Sequence, residues 1–334
     1  MKRIVFLLVF FISLVSAFIW EFHNSNQIDK VDLKVKRFEE ALFSLTKDNV
    51  VQNLNEWDEK FGTFNNVFIS QIMQIPYSDN SNYYNEILAF VKDNDMKEAY
   101  DSTAVMYSDF SDIISELEMA FGIFSNEFPS YPIPDIITFF GGFNFGVVTF
   151  DDNIAIGLEN FLGKNSKFYS YLGYPEYLKY QNQRRLISSY VMEVWFNEYF
   201  SKYLIDRDLL SQMINKGKMI YFLDKMLPNT SLKDKLRFSS NQMDWIENNE
   251  ASVWEYFIDN DLLFSSNQNE IRSFLNYAPF AKGMPKESPG RVAYYIGFNI
   301  VDEYMNKNKI DIEELISLDN SREFLQKSEY KPKK

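Results

Sequence analysis

The stretch that decides the fold runs Phe145-Gly146-Val147-Val148-Thr149-Phe150-Asp151-Asp152-Asn153-Ile154-Ala155-Ile156-Gly157-Leu158. Two runs of β-branched and aromatic residues flank a short polar turn, which predicts a hairpin. Upstream, Asp135-Ile136-Ile137-Thr138-Phe139-Phe140 follows a proline-rich turn (Pro129, Pro132, Pro134) and reads as one more strand, broken by Gly141-Gly142. So few strands are not stable alone and must lie on helices.

The flanking sequence supplies those helices. From Val31 to Ser125 apolar residues recur at three- and four-residue steps, as in Ile87, Phe90 and Val91, with a loop at Pro76 to Asn80. Beyond the hairpin, Ile187, Tyr190, Val191, Val194 and Trp195 form one stripe at helical spacing, and Leu210, Met213, Ile214, Gly217 and Tyr221 form another. Gly217 falls on an apolar face at a cost of about 1 kcal/mol relative to alanine, so a close approach by another helix is expected there. Gln242 to Phe257 and Gln268 to Tyr277 read as helices. Ser288-Pro289 reads as a helix start, serine capping and proline first, with Val292, Tyr295, Ile296 and Ile300 facing inward. The expected fold class is α+β, predominantly α-helical with a small antiparallel sheet.

Composition narrows the chemistry. The chain has 334 residues, a net charge of −13, no cysteine and one histidine, His23. An acidic chain is repelled by phosphate backbones, so no nucleic-acid partner is expected. The missing thiols exclude disulfides, thiolate zinc sites and cysteine nucleophiles. A lone imidazole excludes any site that needs two. Aromatic residues make up 17%, more than a core of this size requires, so some exposed aromatic patches suited to protein contacts are expected.

Lys2 and Arg3 precede an apolar run from Ile4 to Trp20. Residues 1–20 therefore read as a signal peptide, with cleavage after Ala17, or as an N-terminal membrane anchor. Residues 21–31 read as a polar tether that contains His23, and residues 32–334 as a single domain. Either fate of the first segment places the remainder in the cell envelope, outside the cytoplasmic membrane.

Most candidate chemical motifs fail on inspection. Gly141 to Gly146 lacks the dinucleotide-binding pattern. Asp259 to Glu270 begins and ends like a calcium loop, but Leu263 and Phe264 stand where an oxygen ligand and a glycine belong. Arg184-Arg185 and the Lys216/Lys218 pair read as solvated faces. Arg291 stands out, because a cation in the first turn of a helix opposes the helix dipole. A carboxylate partner within the fold is the first expectation for it and a ligand contact the second.

Several blocks in fixed order resemble the family of gliding motility-associated lipoproteins called GldB. They are Asp32 to Phe38, Phe143 to Phe150 with Ile156 to Glu159, and Lys216 to Asp224 with Met226-Leu227-Pro228. Further on come Asn249-Glu250, Val253 to Phe257, Asp261 to Ser265 and Ala278-Pro279-Phe280. Glu287 to Val292, Tyr295-Ile296-Gly297 and Ser328 to Lys333 complete the set. The resemblance implies a noncatalytic envelope component of the gliding machinery that works through other envelope or gliding-machinery proteins, with the N-terminal segment at the membrane. It implies no cofactor and no small-molecule substrate.

The family is also distantly similar to zinc peptidases, which implies a degenerate zincin-like scaffold. Met192-Glu193-Val194-Trp195-Phe196 is the stretch nearest to HExxH, with Met192 and Phe196 where the histidines would stand. The lipidated cysteine usual in the family is absent. The residues singled out as structural or interaction candidates are Arg291, Tyr295, Gly297, Trp254 and Gly217; none is assigned to catalysis, a cofactor or a metal. An exported hydrolase built on paired carboxylates is the alternative reading.

Overall fold

The computed structural model describes residues 30–75 and 82–333. The expectations for residues 1–20, His23 and the Pro76 to Asn80 loop lie outside the described residues. Helices of eight or more residues are α1 (Val50–Phe61), α2 (Asn82–Lys92), α3 (Asn94–Met106), α4 (Ser111–Glu127), α5 (Ile187–Phe200) and α6 (Leu209–Met226). They continue with α7 (Ser240–Asn248), α8 (Glu250–Asp259), α9 (Gln268–Leu275), α10 (Val292–Lys307) and α11 (Ser321–Ser328). The strands are β1 (Val35–Arg37), β2 (Ile136–Phe139), β3 (Val147–Phe150) and β4 (Asn153–Gly157).

The hairpin forms as its sequence predicts. β3 and β4 pair antiparallel, with Phe150 opposite Asn153. The two-residue turn puts both Asp151 (φ 42°) and Asp152 (φ 58°) in the left-handed region, which aspartate tolerates and which matches the strand twist. The Asn153 side chain then accepts a 2.9 Å hydrogen bond from the Asp135 amide and ties the hairpin to the start of β2.

The sheet is not purely antiparallel, contrary to expectation. Its order is β1-β2-β4-β3, and β2 runs parallel to both β1 and β4. Side-chain alternation has the same period in parallel and antiparallel strands, so the local pattern does not carry strand direction. The three residues of β1 fell inside a segment read as helical. They form a strand because β2 offers its edge: the Ile136 amide donates to the Lys34 carbonyl at 2.9 Å.

Helices cover both faces of this sheet. Ile136, Ile154 and Ile156 point into the larger core with α4, α5, α6 and α10. Ile137, Phe139 and Ala155 point into a second core with α1, α2 and the Phe64 to Ile72 segment. Both faces of β2 are buried, which is why it reads as a continuous apolar run. The aromatic surplus goes mainly inward. Phe38 alone packs against Trp57, Phe61, Phe64 and Phe68 at centroid distances of 4.6–5.1 Å. Among the described residues the substantially exposed rings are Phe145, Tyr171, Tyr203, Phe264 and Phe280, dispersed along the chain.

The larger core is built on one helix crossing. α6 is buried on nearly every side, and α10 lies across it with Gly217 and Gly297 at the contact. A Cβ on Gly217 would overlap the carbonyl oxygen of Gly297, and one on Gly297 would overlap that of Met213. The close approach predicted from Gly217 is therefore real, and its partner is Gly297.

Two helix boundaries differ from expectation. The run from Gln242 to Phe257 is two helices, α7 and α8, separated at Asn249. The Ser288-Pro289 start moves to Val292, with Arg291 as the N-cap residue. Ser288 is held in the preceding turn, donating to the Pro285 carbonyl at 2.7 Å and accepting from the Ala281 amide at 3.1 Å. Gly290 presses on Ala278, where a Cβ would stand 2.6 Å from its nitrogen.

The Gly141-Gly142 loop wraps a carboxylate of its own chain. The amides of Gly141 and Phe143 donate to Glu159 Oε1 at 2.6 and 3.1 Å, and Glu159 Oε2 is buried without a partner. Burial, opposed by these amide bonds, pushes the Glu159 carboxyl from 4.5 up to about 7.

Two tests follow from the packing and from this buried acid. Gly217→Ala should destabilise by about 1–3 kcal/mol or more, because backbone cannot retreat as a flexible side chain can; chemical denaturation of the variant checks it. Between pH 4.5 and 7 the folded chain holds more protons on Glu159 than the unfolded chain does, so stability should fall as pH rises through that window. The loss amounts to roughly 3 kcal/mol at most. Glu159→Gln should flatten it in denaturation curves measured across that range.

Candidate functional site

The site is a buried group of charges gathered at the amino-terminal end of α10. Glu193 and Tyr190 share one face of α5, three residues apart. Arg237 follows the short helix Leu232–Leu236 in a left-handed conformation (φ 59°, ψ 41°), which turns its side chain back towards α5. Tyr277 comes from the segment after α9, and Arg291 from the N-cap of α10.

Tyr277 joins the two arginines. Its hydroxyl accepts from Arg237 Nη1 at 2.8 Å and from Arg291 Nη1 at 2.6 Å. Arg237 Nη2 forms an ion pair with Glu193, and its guanidinium lies 3.5 Å from the Tyr190 ring centroid. The Arg291 guanidinium lies 3.6 Å from the Tyr294 centroid and 4.4 Å from that of Tyr277. These ring faces stabilise a buried cation. Both arginines are 3% exposed, and the Nε of each is buried without a hydrogen-bond partner.

The electrostatics are one-sided. Burial works against the Glu193 carboxylate, but Arg237, Arg291 and Lys216 outweigh it and hold the group below the ordinary carboxylate range. Burial likewise opposes the charge on Arg237, and Glu193, Tyr277 and Tyr190 more than restore it. The Arg291 guanidinium is also held charged against its burial, by Tyr277, Tyr294 and Glu193. Three cations thus converge on one carboxylate. A carboxylate pinned in its anionic form is a poor general acid or base near neutral pH.

The two arginines, Tyr277 and Gln181 line a cavity of about 370 Å³ together with Glu176, Lys286 and Glu287. Gln181 donates from Nε2 towards the carbonyls of Tyr177 and Arg237, at 3.5 and 3.4 Å, and its Oε1 is buried and unpaired. A wider depression of about 790 Å³ lies elsewhere, lined by Asp112, Glu116, Arg184, Arg185 and Asp234 among others. Its arginines are already matched, Arg184 with Asp112 and Arg185 with Asp234 at 3.1 Å, and Glu116 accepts from the Ser188 and Thr230 hydroxyls.

The five residues singled out from the sequence divide among three places. Arg291 belongs to the cationic cavity, and the carboxylate nearest in effect, Glu193, is bonded to Arg237 instead of to it. Gly217 and Gly297 form the helix crossing. Tyr295 and Trp254 belong to a separate group around the buried Glu250. Tyr295 donates to Glu250 Oε2 at 3.4 Å and Tyr330 donates to Oε1 at 2.7 Å, while Trp254 meets Tyr330 edge-on at 5.2 Å. Burial first, then Glu250, pushes the Tyr295 hydroxyl up to about 12.

Sequence reasoning missed Arg237, Tyr277 and Gln181, which carry no motif, and it named Glu193 only within the HExxH-like stretch, not as the partner of a buried arginine. The reading of Arg184 and Arg185 as surface cations holds only in part, since both are paired. Lys218 corrects the reading of the Lys216/Lys218 pair as solvated. It is 1% exposed and donates to the carbonyls of Ile316 (3.3 Å) and Leu318. Burial lowers its amine to about 8.

The zincin-like expectation finds no support. Met192 and Phe196 are fully buried among apolar side chains, packed as core where ligands would have to face a cleft. No group of three or more histidine, cysteine, aspartate or glutamate residues suited to a metal occurs among the described residues. No helix among them is long and apolar enough to cross a membrane.

Comparison with known proteins adds one finding. The family model described as gliding motility protein GldB matches residues 21–332. No curated protein and no solved structure matches the chain.

Removing one member of the Arg237–Glu193 pair leaves the other buried and uncompensated. Glu193→Gln should therefore destabilise by about 3 kcal/mol. Arg237→Met in the same background should recover part of that loss, and urea denaturation of the single and double variants measures the coupling.

Proposed function

This chain belongs to the gliding motility protein GldB family, and from that premise we propose that it is a noncatalytic cell-envelope component of the gliding machinery that works by contact with other proteins. The observation that carries the reading is the family match over residues 21–332. The local chemistry agrees with it. The residue at the glutamate position of the HExxH-like stretch, Glu193, is held ionised by Arg237, Arg291 and Lys216, and its neighbours Met192 and Phe196 are core.

The remaining assignments follow from the same premise. Residues 1–20 export the chain or anchor it, and without a cysteine the anchor is not a lipid on sulfur. Residues 32–334 act as one domain, because the two cores share a single sheet. Gly217, Gly297, Tyr295 and Trp254 keep the C-terminal layer in place, and Arg291 faces the cavity. A carboxylate-based hydrolase would need an acid with a raised proton affinity open to substrate. Glu159 has the affinity but is fully enclosed beneath the Gly141-Gly142 loop, and the half-buried Asp302, also raised by burial, accepts from Asn306 on its own helix and lines neither cavity described above.

Deleting the gene in a gliding host should abolish colony spreading, and re-expression of the intact chain should restore it. Normal spreading of the deletion strain would end the motility assignment. Hydrolysis over many turnovers by the purified protein would end the noncatalytic one.

A further inference from the structure

One end of the molecule gathers both the entry of the chain into the domain and its most exposed apolar side chains. Lys30 enters there. Its Nζ donates to Ser115 Oγ at 2.7 Å and the Val31 amide donates to the Glu118 carbonyl at 3.3 Å, both on the first half of α4. α5 begins at the same end. Arg184, just before it, pairs with Asp112 near the start of α4 and donates to the carbonyls of Met106 and Asp109, each at 2.8 Å. The carboxyl end of α3 therefore meets the amino ends of α4 and α5. Gln183 extends this surface by pairing with Leu162, and both line an open depression of about 560 Å³ with Ser102, Met106, Lys164 and Lys167. The fourteen residues of α5 put its carboxyl end about 20 Å away.

Val105 and Tyr171 are the most exposed large apolar side chains among the described residues, at 78% and 76%. Val105 shares one stripe of α3 with Glu98 and Ser102, and Lys167 pairs with Glu98. Tyr171 lies one turn beyond Lys167 on the short helix Lys167–Tyr171. Leu172, also exposed, ends that helix before a turn at Gly173 (φ 74°). Exposed Met106 completes the group. The turn is held from beneath. Phe168 and Tyr169 are buried, and the Tyr169 hydroxyl accepts from the Leu162 amide at 2.8 Å and donates to the Glu159 carbonyl at 2.9 Å. Four exposed apolar side chains around one depression, on a fixed turn and a helix end, mark an interaction surface.

The chain outside the domain says what this end faces. The apolar run closes at Trp20, and the ten residues from there to Lys30 reach at most about 36 Å. With residues 1–20 in the membrane, this end stands within that distance of the bilayer. Its side chains suit the membrane interface: a tyrosine beside valine, methionine and leucine, with the exposed lysines Lys30, Lys164 and Lys167 around them. Lysine stems cover apolar surface while the ammonium groups reach the phosphate level. Asp101 and Asp109 are exposed at the same end and the net charge is −13, so insertion of apolar side chains, not attraction to anionic lipid, supplies the contact. We propose that this end of the domain lies on the bilayer surface, with the Tyr171-Leu172 turn, Val105 and Met106 inserted at headgroup level. The inference rests on the reading of residues 1–20 as an anchor and goes beyond it by assigning the face of the folded domain that meets lipid.

The absence of cysteine gives a direct test. Val105→Cys, Leu172→Cys and Ile205→Cys, each in the full chain, carry one environment-sensitive nitrobenzoxadiazole label. Ile205 is the control, because it is 41% exposed and follows the far end of α5. Circular dichroism checks that each labelled chain is folded. The chains are reconstituted into phosphatidylcholine vesicles with and without a nitroxide-bearing lipid. Blue-shifted emission and severalfold stronger nitroxide quenching are expected at Val105→Cys and Leu172→Cys than at Ile205→Cys, with little change when phosphatidylglycerol is added. Tyr171→Ser should weaken the quenching at Val105→Cys severalfold. A chain that floats with the vesicles while all three labels behave alike would overturn the proposal and leave the anchor standing. A chain that does not float would overturn both. Quenching that appears only with phosphatidylglycerol would overturn insertion in favour of adsorption by charge. None of these readouts involves motility, so the gliding assignment stands or falls separately.

Discussion

The contact between Gly217 and Gly297 constrains the rest of the C-terminal half. With no Cβ on either side, the backbones of α6 and α10 meet directly, closer than any side chain permits. That fixes the height and direction of α10. Its amino terminus then falls beside α5, which brings Arg291 to Tyr277 and within range of Glu193. Its middle brings Tyr295 to Glu250, and α11 packs Phe324 flat on Tyr304 at 4.0 Å. Each cluster depends on a crossing made where two glycines let backbone meet backbone.

The cationic site shows how much arrangement a buried charge requires. Arg237 is tied to a carboxylate, a hydroxyl and an aromatic face together. Arg291 has the hydroxyl and two faces but no carboxylate. The excess positive charge of the cluster is tolerable because ring faces and a pinned Glu193 offset it. Other buried ionisable groups are satisfied in different ways. Glu159 is held by two loop amides and Lys218 by two helix-end carbonyls, whereas Glu250 accepts from two tyrosine hydroxyls and Lys235 pairs with Asp224.

Parts of this were legible in the chain. The hairpin around Asp151 and Asp152 announced itself through β-branched runs and turn residues. The helices around Ile187 and Leu209 did so through their apolar spacing. Gly217 announced a close helix contact, since a helix rarely accepts glycine on an apolar face without a packing reason. The blocks from Asp32 to Lys333 carried the family. The start of α10 was misplaced by three residues, because Ser288 and Pro289 satisfy the rules of a cap while the turn from Pro285 to Gly290 takes their hydrogen bonds first.

The sequence by itself determined the helical and strand periods, the hairpin, the exclusion of thiol and paired-imidazole chemistry, and membership of the GldB family. The first three are local or compositional properties, and the family is carried by short blocks in fixed order along the chain. Only the tertiary structure decided the strand directions, the partner of Gly217, the burial of Lys218, and the meeting of Arg237, Tyr277, Gln181 and Arg291. Those depend on contacts between residues as far apart as Val35 and Ile136 or Lys218 and Leu318, and no period or motif along the chain encodes which distant groups will meet. The physical reason is that alternation and amphipathic spacing state which face is buried, whereas the direction of a strand and the neighbour of a charge are fixed when whole elements pack.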